Sequence, residues 1–159
     1  MTCRGNVQLV HFLVAADADY VIADVIAALA GPDVSFTICR EGREVSRLVN
    51  EREYDAAVLD LQIGSMGAMA VTMALRLDES SGNAPHVKVL MLLDRRADVH
   101  LAKRSAAEAW LVKPVDALTL KRTIRTMLAG PPATEPDMDA AVHPPAEPES
   151  AEEDAPVAG

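Results

Sequence analysis

Short unbroken runs of apolar residues alternate, between residues 8 and 130, with stretches in which apolar side chains return every third or fourth position. The runs at 8–16, 56–60 and 87–93 are apolar almost throughout, the pattern of strands covered on both faces of a parallel sheet. Shorter strands are predicted at 35–39 and 109–112. Helical spacing is clearest in Val21, Ile22, Val25, Ile26 and Leu29, which stop at Gly31-Pro32, a strong helix terminator. It recurs in Leu120, Ile124, Met127 and Leu128, which follow a good cap at Asp116. Between these, Val45, Leu48 and Val49 mark a second helix after a turn at Glu41-Gly42, residues 68–77 a third, and residues 94–107 a short fourth. Residues 78–85 are polar and predict a loop. Five strands alternating with five helices specify an α/β fold, a doubly wound five-stranded parallel sheet flanked by helices on both faces through right-handed crossovers.

The pattern also divides the chain. Residues 1–7 read as a leader, 8–130 as one folded domain, and 131–159 as a Pro/Ala/Glu-rich acidic tail in which the periodicity vanishes. Charge follows the same boundary. The tail holds eight acids and no Lys or Arg, whereas the first 130 residues hold 15 basic residues against 16 acids, so the net charge of -9 is mostly the tail's. Such a segment cannot offset its ordering entropy by burial, and disorder is expected. The near-neutral domain and the lack of room for a helix-turn-helix argue against DNA binding. Cys3 and Cys39 are too few and too far apart for a disulfide framework or a metal site. The apolar run at 9–16 is interrupted by His11 and stopped by Asp17 and Asp19, which excludes a signal peptide or a membrane span. A cytoplasmic protein with no membrane attachment is expected.

Candidate chemistry gathers at one edge of the predicted sheet. Asp60 closes the buried run 56–59, and the turn residues Gly64, Ser65 and Gly67 follow it. Open α/β sheets form their sites at the carboxyl ends of strands. That edge also receives Asp17 or Asp19, Leu93 and Asp94, and Lys113. Carboxylates so close together repel and raise one another's pKa unless a cation neutralises them. Lys113 supplies one positive charge, and a hard oxygen-liganded ion such as Mg²⁺ could supply the rest. The chemistry favoured is phosphoryl transfer onto a carboxylate, driven by electrostatics more than by a base.

The order of elements, the LDLQ end of the third strand, the Gly42-to-Asp60 spacing and the WLVKP run at Trp110 to Pro114 resemble the receiver domain of two-component response regulators, a CheY-like or flavodoxin-like fold. The resemblance covers about residues 8–130. It implies that Asp60 is the phosphoacceptor and that Lys113 contacts the phosphoryl group across a usually cis Lys-Pro bond. It implies Mg²⁺ at Asp60 and Asp17, and switch positions at Leu93 and Trp110. A histidine kinase or other signalling protein is the implied partner, with homodimers through helix four, strand five and helix five a further option.

Three departures accompany it. Receivers usually end strand one with two adjacent acids, and here Asp17 keeps one of those positions or neither, according to where the loop gap falls. No hydroxyl lies anywhere from Val87 to Arg96, where a Ser or Thr normally closes strand four. Gly64 replaces a common Pro, and helix four is about two residues short. The reading is a single-domain response regulator acting through protein contacts, not an enzyme. The alternative is a phosphorylation-independent pseudo-receiver. A third reading takes FLVAADADYV as resembling haloacid-dehalogenase-type phosphatases, with Asp17 as nucleophile. More ordinary roles also remain open, Asp17 and Asp19 as caps of helix one and Trp110 as a core residue of an edge strand.

Overall fold

The computed structural model describes residues 9–130, so the expected leader and acidic tail lie outside the described residues. β1 (Val10–Ala15), β2 (Val34–Cys39), β3 (Ala56–Asp60), β4 (Lys88–Leu93) and β5 (Ala109–Val112) form one parallel sheet in the order β2-β1-β3-β4-β5. The helices are α1 (Asp19–Leu29), α2 (Gly42–Glu51), α3 (Ala68–Ser80), α4 (Val99–Arg104) and α5 (Ala117–Ala129). This is the predicted doubly wound architecture.

Strand alternation sorts the core into two layers. Phe12, Val14, Val58, Leu90 and Leu92 face α1 and α5, meeting Val21, Val25, Leu120 and Ile124. Leu13, Leu59, Val89, Met91 and Leu93 face α2, α3 and α4, meeting Val45, Val49, Val71 and Leu75. With so few aromatics the filling is aliphatic: Leu13, Leu59, Leu90, Met91 and Leu93 are sealed from solvent. Burying one such side chain contributes about 2 kcal/mol.

Three elements differ from the sequence pattern. α3 runs three residues further, to Ser80, because its polar end is bonded from within: Ser80 and Ser81 hydroxyls both donate to the Leu77 carbonyl, and Arg76 pairs with Glu79. The fourth helix is shorter still than expected. A 3-10 turn at Arg96–Asp98 precedes the six residues of α4, since the buried Asp98 carboxylate accepts from the Arg95 backbone N–H and tightens the chain. Gly42 opens α2 instead of making a turn before it. A Cβ there would meet the Met66 carbonyl oxygen at 1.9 Å, while the Gly42 N–H donates to the Gly64 carbonyl at 3.0 Å. Only glycine allows this approach, which pins the loop between β3 and α3 against α2. Asp116 caps α5 as predicted, accepting from the Thr119 N–H at 2.9 Å.

Candidate functional site

The strand order reverses at β1 and β3, and the carboxyl ends of these strands border the crevice where such sheets bind. β3 delivers Asp60 there, 3% exposed at the end of a strand in which every residue is buried. Register does the rest. Asp60 lies opposite Leu92, and Leu93 opposite Val112. Pairing continues one residue beyond, with the Leu61 N–H on the Leu92 carbonyl at 2.9 Å and the Lys113 N–H on the Leu93 carbonyl at 2.8 Å. Asp60, Asp94 and Lys113 are thereby brought side by side.

Lys113 Nζ donates to Asp60 Oδ1 at 2.8 Å and pairs with Asp94 Oδ1 at 2.8 Å. Its side chain is 16% exposed, that of Asp60 4% and that of Asp94 35%, so the cluster runs from the core to the rim of the crevice. Burial pulls the Lys113 ammonium downward in pKa, but the bonds from Asp60 and Asp94 outweigh it and hold the group above its ordinary value. The Lys113 bond holds the Asp94 carboxyl below the usual range against partial burial, with a Gln62 side-chain bond and nearby Arg95 adding to it. Both contacts to Asp60 fall on Oδ1, the second from the Gln62 N–H at 3.3 Å. Neither of these bonds reaches Oδ2.

The other sequence-predicted residues fall elsewhere. Asp17 is exposed, and its carboxylate lies against the loop after β3, with Oδ2 3.9 Å from where a Gly64 Cβ would stand. Arg40 fixes this end of β1, donating to the Asp17 carbonyl at 3.0 Å and pairing with Asp19 at 2.5 Å. Neither acid caps α1, whose N-cap is Ala18 with no side-chain bond. Leu93 is fully buried on the α2/α3/α4 face. Trp110 packs half-buried on that face, with the Lys103 ammonium 5.6 Å from its ring centroid, a cation–π distance. The Lys113-Pro114 bond is cis.

Of the expected convergence, then, Asp60, Asp94 and Lys113 meet, whereas Asp17 lies against the loop after β3. Two contributors were not singled out from sequence. From the sequence Asp94 is only a strand-end residue, although its place beside Lys113 follows once the β4–β5 register is known. Arg40, just past β2, carried no signal. The donor set does not fit a divalent cation well. Ala16 brings no carboxylate, and no three His, Cys, Asp or Glu among the described residues group so as to hold a metal ion. No described helix is long and apolar enough to cross a membrane.

No protein-family model matches the chain. A response regulatory protein of Mycobacterium tuberculosis, itself uncharacterized, is 33% identical over 100 residues, 63% of this chain and 72% of the relative. Protein PilH of Pseudomonas aeruginosa is 30% identical over 83 residues, 52% of this chain and 68% of its own length. Among solved structures, the chemotaxis response regulator CheY4 of Vibrio cholerae superposes with a TM-score of 0.65 at 22% identity, over 76% of this chain and 99% of that one. The receiver domain of the sensor histidine kinase PA1611 from Pseudomonas aeruginosa, solved with a magnesium ion coordinated in its active site cleft, gives 0.63 at 18% identity, over 76% and 98%. The structural likenesses establish the fold, and the closer relatives in sequence establish the family: this chain belongs to the response regulators of two-component signalling and folds as their receiver domain.

Proposed function

We propose that the chain is a phosphoryl-accepting receiver in which Asp60 is the acceptor and Lys113 the cation that neutralises the incoming group. The observation that carries this reading is the asymmetry of the Asp60 carboxylate, whose bonds from Lys113 and from the Gln62 N–H both fall on Oδ1 and not on Oδ2. In the reaction Oδ2 attacks the phosphorus of a phosphohistidine on a kinase. The O–P bond forms, the P–N bond breaks, and the histidine nitrogen leaves with the electron pair. The product is an aspartyl phosphate. Charge stabilisation is assigned to Lys113, in keeping with the electrostatic character of phosphoryl transfer. The resemblance implies magnesium at Asp17 and Asp60, but among the described residues no three acids, histidines or cysteines group so as to hold it.

The chain is in this reading a substrate and a binding module, not a turnover enzyme, and it acts through protein contacts. A cleft between α1 and α5, lined by Tyr20, Val21, Pro114 and Val115 and reaching Lys113, offers a partner a surface continuous with the site. The phosphatase reading with Asp17 as nucleophile has less support, since the ammonium at this edge engages Asp60 and Asp94 instead. A phosphorylation-independent module is the second reading. It is favoured by a Lys113 already paired with two carboxylates and by Leu93 in place of a hydroxyl.

The two readings separate by intact-mass spectrometry after incubation with acetyl phosphate and magnesium chloride. One added phosphoryl group on wild type and none on Asp60→Asn is the expected result. No adduct on either protein would favour the phosphorylation-independent reading.

A further inference from the structure

Asp94 sits where the resemblance offers no role for a carboxylate, yet the fold gives it a fixed neighbour. The parallel register of β4 with β5, extended by the bond from the Lys113 N–H to the Leu93 carbonyl, sets residue 94 beside residue 113. A carboxylate at 94 therefore meets the ammonium as a consequence of strand pairing. Its bond, 2.8 Å, is as short as that of Asp60. A Gln62 side-chain bond also reaches Asp94, and the adjacent Arg95 is committed to Asp98.

The ammonium has three donors, and two are taken by these carboxylates. A phosphoryl group on Asp60 carries roughly two negative units where the carboxylate carried one, and the added charge needs a cation. Leu93 provides no hydroxyl donor for it. Arg40, at the end of β2, is engaged with Asp17 and Asp19. Lys113 must then divide its charge between Asp94 and the phosphoryl oxygens, with the Asp94 carboxylate standing as a close like charge at the rim. The geometry points to Asp94 as a built-in competitor for Lys113, a positioning residue that slows phosphoryl transfer to Asp60. The inference rests on Asp60 being the acceptor.

The test follows acetyl phosphate labelling of the full chain over time by intact mass, with magnesium chloride present, in wild type, Asp94→Asn, Asp94→Ala, Asp94→Glu and Asp60→Asn. In each productive event the Asp60 Oδ2–P bond forms and the acyl P–O bond breaks, acetate leaving with the pair. Asp94→Asn and Asp94→Ala should label about tenfold faster than wild type or more, the size expected for lifting one close like charge. Asp94→Glu should remain near wild type because the carboxylate is kept, a distinction that a merely structural residue would not produce. Label on the neutral variants alone also supports the inference. Neutral variants no faster than a labelled wild type would overturn it while the acceptor reading stands. Absence of label from wild type and neutral variants alike, or label persisting in Asp60→Asn, would overturn the acceptor reading and the inference together.

Discussion

At the amino-terminal ends of β4 and β5, Arg76 lies between Glu108 and Glu79; at their carboxyl ends, Lys113 lies between Asp94 and Asp60. Each cation spans two carboxylates from different elements, but their donors are used differently. The Arg76 fork is committed throughout: Nε to the Ala106 carbonyl, one terminal nitrogen to Glu79 and the Val87 carbonyl, the other to both oxygens of Glu108 at 2.7 and 2.6 Å. Glu108 in turn accepts from the Val89 N–H at 2.6 Å, and His86 closes the group against Glu79 at 2.8 Å. A guanidinium so satisfied is a bolt. The Lys113 ammonium, a compact charge on a flexible stem, has one donor to spare and two partners of similar strength. It can hand a bond to a newcomer without loosening the sheet.

The largest effect should come from breaking the bolt. Arg76→Met strands the mostly buried Glu108 and two carbonyls, and a loss of about 3 kcal/mol in urea unfolding is expected. Asp60→Asn keeps the shape and the acceptor oxygen, and Lys113 retains Asp94, so its stability should stay within about 1 kcal/mol of wild type. Equal losses from the two substitutions would erase the distinction between the clusters.

A smaller effect comes from pH. Asp94 is held below its ordinary value near 3.8 by the Lys113 bond, and Glu79 below 4.5 by the His86 bond and then by Arg76. Depressed carboxyl values give stability that is present above the unfolded value and lost as pH falls through the folded one. Both edges should therefore weaken in acid, below about pH 4. Lys113, raised above 10.5 in balance, contributes stability that is present below that value and lost as pH rises through the folded one. Unfolding midpoints from acid to alkali should show Asp94→Asn losing less than wild type on the acid side. Superimposable profiles would contradict the role given to the Asp94–Lys113 pair.

The sequence made the parts of the site legible more readily than their pairing. Asp60 stood out because a carboxylate ending an apolar run has few other reasons to be there, and Lys113 because Lys-Pro closes the fifth strand. The strands and the windings of α1 and α5 followed from periodicity and caps. Asp78 to Ser80 looked like loop because their helix-holding bonds run from side chains to Leu77 and Arg76, which no apolar spacing records. Gly42 looked like a turn because a close approach to Met66, 24 residues away, leaves no local trace. Asp94 and Arg40 depend on how neighbouring strand ends line up, and register is set by the whole sheet.

The contrast between the two edges is tested most directly by hydrogen exchange of the full chain before and after acetyl phosphate labelling, resolved by peptide. Peptides carrying Asp60, Asp94 and Lys113 should change their exchange on phosphorylation, while those carrying Arg76, Val87 and Glu108 should keep theirs. Equal change at the Arg76 edge, or none at the Asp60 edge of a fully labelled protein, would contradict the account of one exchangeable cation and one fixed one.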